Sequence, residues 1–171
     1  MDKSKPLRLC EARVRREWVD EFGHMNMARY IEACDLSTYA LWEFVNRPKT
    51  LEQRGGLEYA VVETHANYLS ELHDGDPYFI LTQLLGADEK RFWLYHELYH
   101  SERNELVATN EVMALGFDLN ERRLAPFLPE VQERLAAIVA HHRRLPLPKN
   151  ASRAIAMKRG ATGPGQTLPT K

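Results

Sequence analysis

The sequence is poor in cysteine and has no long apolar run. Its 171 residues include only two cysteines, Cys10 and Cys34, which form neither a CxxC pair nor a disulfide framework. A reduced, cytoplasmic protein is the simplest prediction. No stretch approaches the roughly 20 apolar residues that a membrane helix needs. The charged residues 1–6 have no apolar segment behind them, so we expect neither a membrane partner nor a secretory signal.

The sequence also has little net charge. With 23 basic and 24 acidic residues, its formal charge of −1 does not favour a nucleic-acid partner. The charges are unevenly distributed, because seven basic and no acidic residues lie at 143–171. That stretch therefore carries +7, and residues 1–142 carry −8. It also holds few large apolar side chains, so we predict one domain at 1–142 and a flexible basic tail at 143–171.

Apolar periodicity predicts the order of the secondary structure. We expect a first strand at 7–18 and a long helix at 26–44. Four strands and a short helix should follow, at 57–69, 78–87, 91–100, 105–117 and 129–142. The long helix is apolar on several faces, which predicts an α+β fold with a five-stranded antiparallel sheet wrapped around it. An open sheet edge would need cover, which favours a dimer.

A motif stands between the first strand and the long helix. Residues 18–30 read Trp-Val-Asp-Glu-Phe-Gly-His-Met-Asn-Met-Ala-Arg-Tyr. This segment and the element order resemble the hotdog-fold acyl-CoA thioesterases. The resemblance is to the 4-hydroxybenzoyl-CoA thioesterase-like branch in particular, whose pattern is roughly D-x-x-G-H-x-N-x-x-x-Y. It covers residues 7–120 and implies a hotdog fold, to which the apolar spacing at 129–142 adds a short C-terminal helix.

A narrower resemblance is to the betainyl-CoA thioesterases of carnitine catabolism, including those fused to carnitine dehydrogenases. It is carried by the residues at 17–20, 23–26, 62–65, 68–69 and 84–91. The sequence departs from that group at Glu21-Phe22, where Tyr-Asn is more usual, and at Gly116-Phe117, where His is common. The resemblance implies hydrolysis of a short-chain acyl-CoA, with a cationic, betainyl-type acyl group as one form.

The resemblance implies that two residues take part in catalysis, Asp20 and His24. Thioester hydrolysis needs a carboxylate that attacks or activates water, and donors for the developing oxyanion. Asp20 occupies the family's catalytic aspartate position. The candidate donors are the backbone amides around 24–27 or the equivalent region of a partner subunit, because sites of the resembled family lie at the dimer interface. His24 could orient Asp20 or contact the thioester. The choice between nucleophile and general base stays open, and so do a plain loop or capping role for Asp20 and a loop-ordering role for His24.

Six positions are candidates for substrate binding: Trp18, Phe22, Met25, Asn26, Glu63 and His65. Asn26 is better explained as a helix cap. Six aromatic side chains could face a quaternary ammonium, although core or interface packing explains each one better: Trp18, Phe22, Tyr39, Trp42, Trp93 and Tyr95. Glu63 and His65 share one face of a strand with Asn67. That pattern indicates either a solvent face, or a pocket or subunit interface that contains ordered polar groups.

We predict neither a metal nor a cofactor. His96 and His100 share a strand face, but no third ligand stands at a recognisable spacing. The resemblance implies an acyl-CoA substrate and a homodimer or a dimer of dimers. Two other functions stay open. One is a non-catalytic acyl-CoA-binding protein, and the other is a hotdog hydratase or dehydratase, whose signature we do not find.

Overall fold

The computed structural model describes residues 5–153. Short 3-10 turns lie at Arg16–Trp18 and Glu52–Arg54. No helix within the described residues is long and apolar enough to cross a bilayer. The other elements follow in the order β1 (Leu7–Arg13), α1 (Met27–Asn46), β2 (Leu57–Tyr68), β3 (Pro77–Ala87), β4 (Arg91–His100), β5 (Glu105–Asp118), β6 (Arg123–Leu124) and α2 (Pro129–His142).

The strands form one antiparallel sheet. Five of them run in the order β1-β3-β4-β5-β2, and the two-residue β6 pairs with β5. The sheet curls around α1, and α2 packs beside α1 on the same face. The predicted α+β architecture, with five strands, a long central helix and a short C-terminal helix, is confirmed. β6 was not predicted, because two residues are too few to show a periodicity.

The first strand is shorter than predicted. β1 ends at Arg13, which lies opposite the first residue of β3. Beyond this point β3 offers no further partner, and the Val14 N–H instead donates to the Asp76 carbonyl at 2.9 Å. The chain then turns inward, which leaves Trp18 only 3% exposed. The expected strand residues 14–18 are therefore a turn that begins the loop before α1.

α1 is buried along most of its length. Near its C-terminal end, Leu41, Trp42 and Val45 belong to a core cluster that also holds the apolar stripe of α2. Near its N-terminal end, the helix joins a second cluster formed with β3, β4 and β5. The helix is thus covered on more than one side, as its composition predicts. One stripe, with Leu36 and Tyr39, stays exposed.

A chain of hydrogen bonds ties α1 to β3 and β4. Thr38 Oγ1 donates to the Cys34 carbonyl at 3.3 Å, so it accepts from His96 Nε2 at 2.9 Å. His96 Nδ1 is then the unprotonated nitrogen and accepts from Thr82 Oγ1 at 2.9 Å. Thr82 in turn accepts from Ser37 Oγ at 2.8 Å. The four polar side chains are all buried, and the chain satisfies them in one direction.

The last residue of α2, His142, bonds to a backbone N–H of β3 that β1 leaves unpaired. β1 pairs with β3 only as far as Thr82, which leaves the Leu84 N–H without a β1 partner. His142 Nδ1 accepts this N–H at 2.9 Å, so its Nε2 donates to the Lys5 carbonyl at 3.1 Å. Burial lowers the pKa of His142, which keeps Nδ1 available as an acceptor. The ring thereby joins α2, β3 and the start of the chain.

The chain after α2 crosses to the outer face of the sheet, the face that points away from α1. Gln83 Nε2 donates to the Pro146 carbonyl at 3.3 Å, and the Ser152 N–H donates to the Glu111 carboxylate at 2.9 Å. Residues 143–153 therefore contact the domain, which differs from a flexible tail that begins at 143. The rest of that predicted tail, 154–171, lies outside the described residues. The division of the chain at residue 142 stays a prediction.

The buried imidazole of His96 predicts a loss of stability in acid. Burial lowers the pKa of His96 from 6.5 to about 3, so the folded protein keeps it neutral where the unfolded chain binds a proton. The contribution of His96 to the free energy of unfolding is therefore fully present above pH 6.5 and is lost as the pH drops toward 3. The loss from this group is about 1.4 kcal/mol for each pH unit. Urea unfolding at a series of pH values measures it.

The variant His96→Gln removes the titrating group and should weaken this dependence on pH. The exposed neighbour of His142, His141, provides the matched control as His141→Gln. That control should follow the wild-type dependence. An equally steep loss of stability in His96→Gln and in the wild type would contradict the assignment.

Candidate active site

The loop between β1 and α1 folds back on itself. Val19 and Met25 form an isolated antiparallel bridge. Inside this bridge, the Asp20 N–H donates to the His24 carbonyl and the Gly23 N–H donates to the Asp20 carbonyl, each at 3.1 Å. Gly23 has a φ of 86°, in the left-handed region that favours glycine. The motif residues therefore form a tight turn whose tip carries the side chains of 20–24.

The base of this loop is anchored in the core. Trp18 and Met25 are 3% and 2% exposed. The Asn26 N–H donates to the Trp18 carbonyl at 2.9 Å, and the Met25 N–H donates to the Leu72 carbonyl at 2.6 Å. The anchoring holds the loop in one place beside the start of α1. It also leaves little of the Met25 side chain accessible to a substrate, so core packing explains the apolar side chain at this position.

Asn26 caps the N-terminus of α1. Its side-chain oxygen accepts from the Ala28 N–H at 3.0 Å, and its carbonyl accepts from the Arg29 N–H at 2.9 Å. The predicted cap is confirmed. Within residues 5–153 the Met27 N–H has no acceptor. This N–H lies at the positive end of the helix dipole, which makes it a donor available to a ligand oxygen.

The Asp20 carboxylate lies beside the capped helix end. Its side chain is 16% exposed, and its Oδ1 accepts from the Phe22 N–H at 3.0 Å. The Asn26 side-chain amide is 3.5 Å from Oδ2, and His24 Nδ1 is 4.0 Å from Oδ1. An open cleft of about 500 Å³ borders the carboxylate, lined by Glu17, Trp18, Val19, Asp20, Asn26, Ala28 and Arg29.

His24 lies between two carboxylates. Its Nδ1 faces Asp20, and its Nε2 is 3.8 Å from Oε1 of Glu71. The ring of Phe22, which is 76% exposed, stacks on His24 with 6.2 Å between the ring centres. Glu71 was missed in the sequence, because it lies in the loop after β2 and no local pattern connects it with the motif.

Glu63 and His65 lie apart from this cluster. In the sheet, His65 is paired with Glu111, whereas the next residue of β5, Val112, belongs to the core under α1. Neighbouring side chains on a strand point to opposite faces, so Glu63 and His65 lie on the outer face. There they border a second cleft of about 410 Å³ with Trp93. Within one protomer the structure therefore does not bring them together with Asp20.

The histidines of β4 have structural partners. His96 is held in the hydrogen-bond chain under α1. His100 Nδ1 accepts from the Arg103 N–H at 3.1 Å, and its Nε2 is 3.6 Å from Asp76. Across residues 5–153, no group of three or more His, Cys, Asp or Glu side chains has a geometry suited to a metal ion.

The arrangement around Asp20 suits attack on a polarised carbonyl. A partly sheltered carboxylate borders an open cleft, and the start of α1, which includes the Met27 N–H, lies beside it. A carbonyl oxygen bound at this N–H would gain stabilisation as negative charge develops on it. The carboxylate could then attack the carbon directly or remove a proton from water.

Comparisons with known proteins agree with this chemistry. A family model described as the thioesterase-like superfamily matches residues 14–135. The chain is 34% identical to a betainyl-CoA thioesterase of Pseudomonas aeruginosa over 154 residues, which span 90% of this chain and 97% of that protein. It is also 32% identical to the L-carnitine dehydrogenase/betainyl-CoA thioesterase of Rhizobium meliloti, where the match spans 93% of this chain and 32% of that longer protein.

Two solved structures have the same fold. A candidate thioesterase from Pseudomonas putida KT2440 aligns with a TM-score of 0.76 at 30% identity, over 90% of this chain and 97% of that one. A hypothetical protein from Staphylococcus aureus, solved in complex with CoA, aligns with a TM-score of 0.76 at 25% identity, over 90% and 98%. The chain belongs to the thioesterase-like superfamily and is a thioester hydrolase with the predicted hotdog fold.

The cap of α1 predicts a measurable stability loss. Asn26→Ala removes the acceptor of the Ala28 N–H, and the free energy of unfolding should fall by about 1 kcal/mol. Asn26→Ser keeps a capping oxygen without adding charge near Asp20, so it should lose clearly less. Urea unfolding at neutral pH compares the variants. Equal losses in both variants would show that the cap does not stabilise the helix.

Proposed function

We propose that the chain hydrolyses betainyl-CoA and related short acyl-CoA thioesters to the free acid and CoA. The observation that carries this proposal is the Asp20 carboxylate beside the N-terminus of α1, in a relative of a betainyl-CoA thioesterase that the match spans almost completely. The acyl-CoA substrate class is supported further by the structural neighbour solved with CoA.

In the proposed reaction, the thioester carbonyl oxygen accepts from the Met27 N–H at the start of α1. The carbonyl carbon then faces Asp20. Either the carboxylate attacks and the resulting anhydride is hydrolysed, or the carboxylate takes a proton from an attacking water. In both routes the carbon–sulfur bond breaks, water supplies the new oxygen, and CoA leaves as a thiol. His24, next to Asp20, orients the carboxylate or contacts the thioester.

The roles of the other candidate residues follow from their positions. Trp18 and Asn26 line the cleft next to Asp20, whereas the exposed Phe22 bonds to Asp20 through its N–H and stacks on His24. Glu63 and His65 could meet a substrate only at a subunit interface, because they lie on the outer face of their own sheet. A cytoplasmic location stays a prediction of the sequence.

We also propose that the chain forms a homodimer through β2. This strand has 12 residues and is the last in the sheet order, so one of its edges has no partner strand among the described residues. Val61, Val62 and Tyr68 on this strand, and Leu69 directly after it, are each at least 43% exposed. A long apolar edge strand is usually covered by another chain. A second copy paired along β2 would continue the sheet and cover these side chains.

The catalytic role of Asp20 is tested with Asp20→Asn. This variant keeps the shape of the side chain and loses the charge, so kcat for betainyl-CoA should fall at least about 100-fold. Thiol release from purified protein measures the rate. Asp74→Asn, in an exposed turn, is the control and should keep the wild-type rate. A folded Asp20→Asn protein with full activity would overturn the mechanism.

The same assay separates the functions that remained open. A wild-type protein that binds acyl-CoA without releasing thiol would be a binding protein. One that hydrates an enoyl-CoA without releasing thiol would be a hydratase. Release of thiol from betainyl-CoA faster than from acetyl-CoA or butyryl-CoA is the expected result for the substrate proposed here.

The proposed dimer is tested by light scattering. The wild type should have twice the chain mass of 19.8 kDa. Val62→Lys places a charge on the free edge of β2 and should shift the protein toward the monomer. Leu147 lies outside β2 and is 63% exposed, so the control variant Leu147→Lys should leave the mass unchanged. A wild-type monomer, or a Val62→Lys dimer of wild-type affinity, would refute this interface.

A further inference from the structure

We propose that Glu71, together with the ring of Phe22, selects acyl groups that carry a positive charge next to the thioester. The inference rests on the proposed function and adds a residue to the same site. Glu71 does not belong to the motif at 18–30, and it reaches the site from the loop that follows β2.

The backbone around Glu71 is held on both sides. Leu72 accepts from the Met25 N–H at 2.6 Å and donates its own N–H to the Tyr30 hydroxyl at 3.0 Å. Burial raises the pKa of Tyr30, so the hydroxyl stays protonated and also reaches the Ser70 carbonyl at 3.5 Å. Both neighbours of Glu71 are therefore tied to α1. The position of its side chain beside His24 follows from these contacts.

The Glu71 carboxylate is free to act on a ligand. Within residues 5–153, its one ion-pair contact is with His24 Nε2, and its side chain is 65% exposed. The nearby Arg103 donates to the backbone carbonyl of Glu71, while its charged group pairs with Glu105 and Asp76. No arginine or lysine of the described chain thus neutralises this carboxylate.

The chemistry of a betainyl thioester places its charge close to Asp20. The quaternary nitrogen is only two bonds from the carbonyl carbon, and an attacking oxygen approaches that carbon to about 3 Å. The nitrogen must therefore lie on the order of 6 Å from the group that attacks. Phe22 donates its N–H to Asp20, and Glu71 lies on the far side of the His24 ring. Both residues therefore contact the His24 ring, which lies next to Asp20.

An aromatic face and a carboxylate are the groups that attract a quaternary ammonium. The exposed Phe22 ring offers the first, and Glu71 offers the second. The outer-face cleft also combines these groups, since Trp93 lies there with Glu63 and Glu111. It lies on the opposite face of the sheet from α1, so an acyl group held at Asp20 of the same protomer cannot reach it. Within one protomer, the Glu71 side of the loop is where an aromatic ring and a carboxylate both lie against His24, next to Asp20.

The test compares two substrates of the same shape. tert-Butylacetyl-CoA replaces the quaternary nitrogen of betainyl-CoA with carbon and carries no charge on the acyl group. The measured quantity is kcat/KM for betainyl-CoA divided by kcat/KM for tert-butylacetyl-CoA. Wild type should favour betainyl-CoA, and Glu71→Gln should lower this ratio about five- to tenfold, because it removes only the charge. Glu133→Gln, exposed on α2, is the matched control and should keep the wild-type ratio.

A residue that only positions His24 would slow both substrates equally and leave the ratio unchanged. That outcome would overturn the proposal, and so would a wild type that does not distinguish the two substrates. Both results leave the thioesterase function standing. A wild type that releases no thiol from any acyl-CoA would instead refute the proposed function itself.

Discussion

The docking of α1 against the inside of the curled sheet is the constraint on which the rest of the structure depends. The helix carries hydroxyl groups into the core, where Ser37 bonds to Thr82 and Thr38 accepts from His96 in addition to its bond within the helix. A rotation or slide of the helix would break these bonds in a buried place, where unpaired polar groups cost about 1–3 kcal/mol each. The position of the N-terminus of α1, and of Asp20 beside it, follows from this docking.

The candidate site is built mainly by backbone contacts. The loop at 19–26 closes through its own bridge and is tied to the segment after β2 through Met25 and Leu72. Tyr30 belongs to both the helix and this junction, since its hydroxyl accepts from the Leu72 N–H. Such contacts place Asp20 and Glu71 on either side of His24 without requiring a bond between the three side chains.

The two faces of the sheet have different surroundings. The inner face packs against the helices, and the outer face is partly covered by residues 143–153, which bond to Gln83 and Glu111. The polar side chains of Glu63 and His65 belong to the outer face.

The sequence by itself determined the order of the elements, the limits of β4 and α2, and the cap at Asn26. These features depend on periodicity and on residues a few positions apart. Only the tertiary structure decided where β1 stops, because its length is limited by the end of β3. It likewise decided that Glu71 meets His24 and that Glu63 does not. Such contacts join residues far apart in the chain, and the curl of the sheet around α1 selects which of them meet.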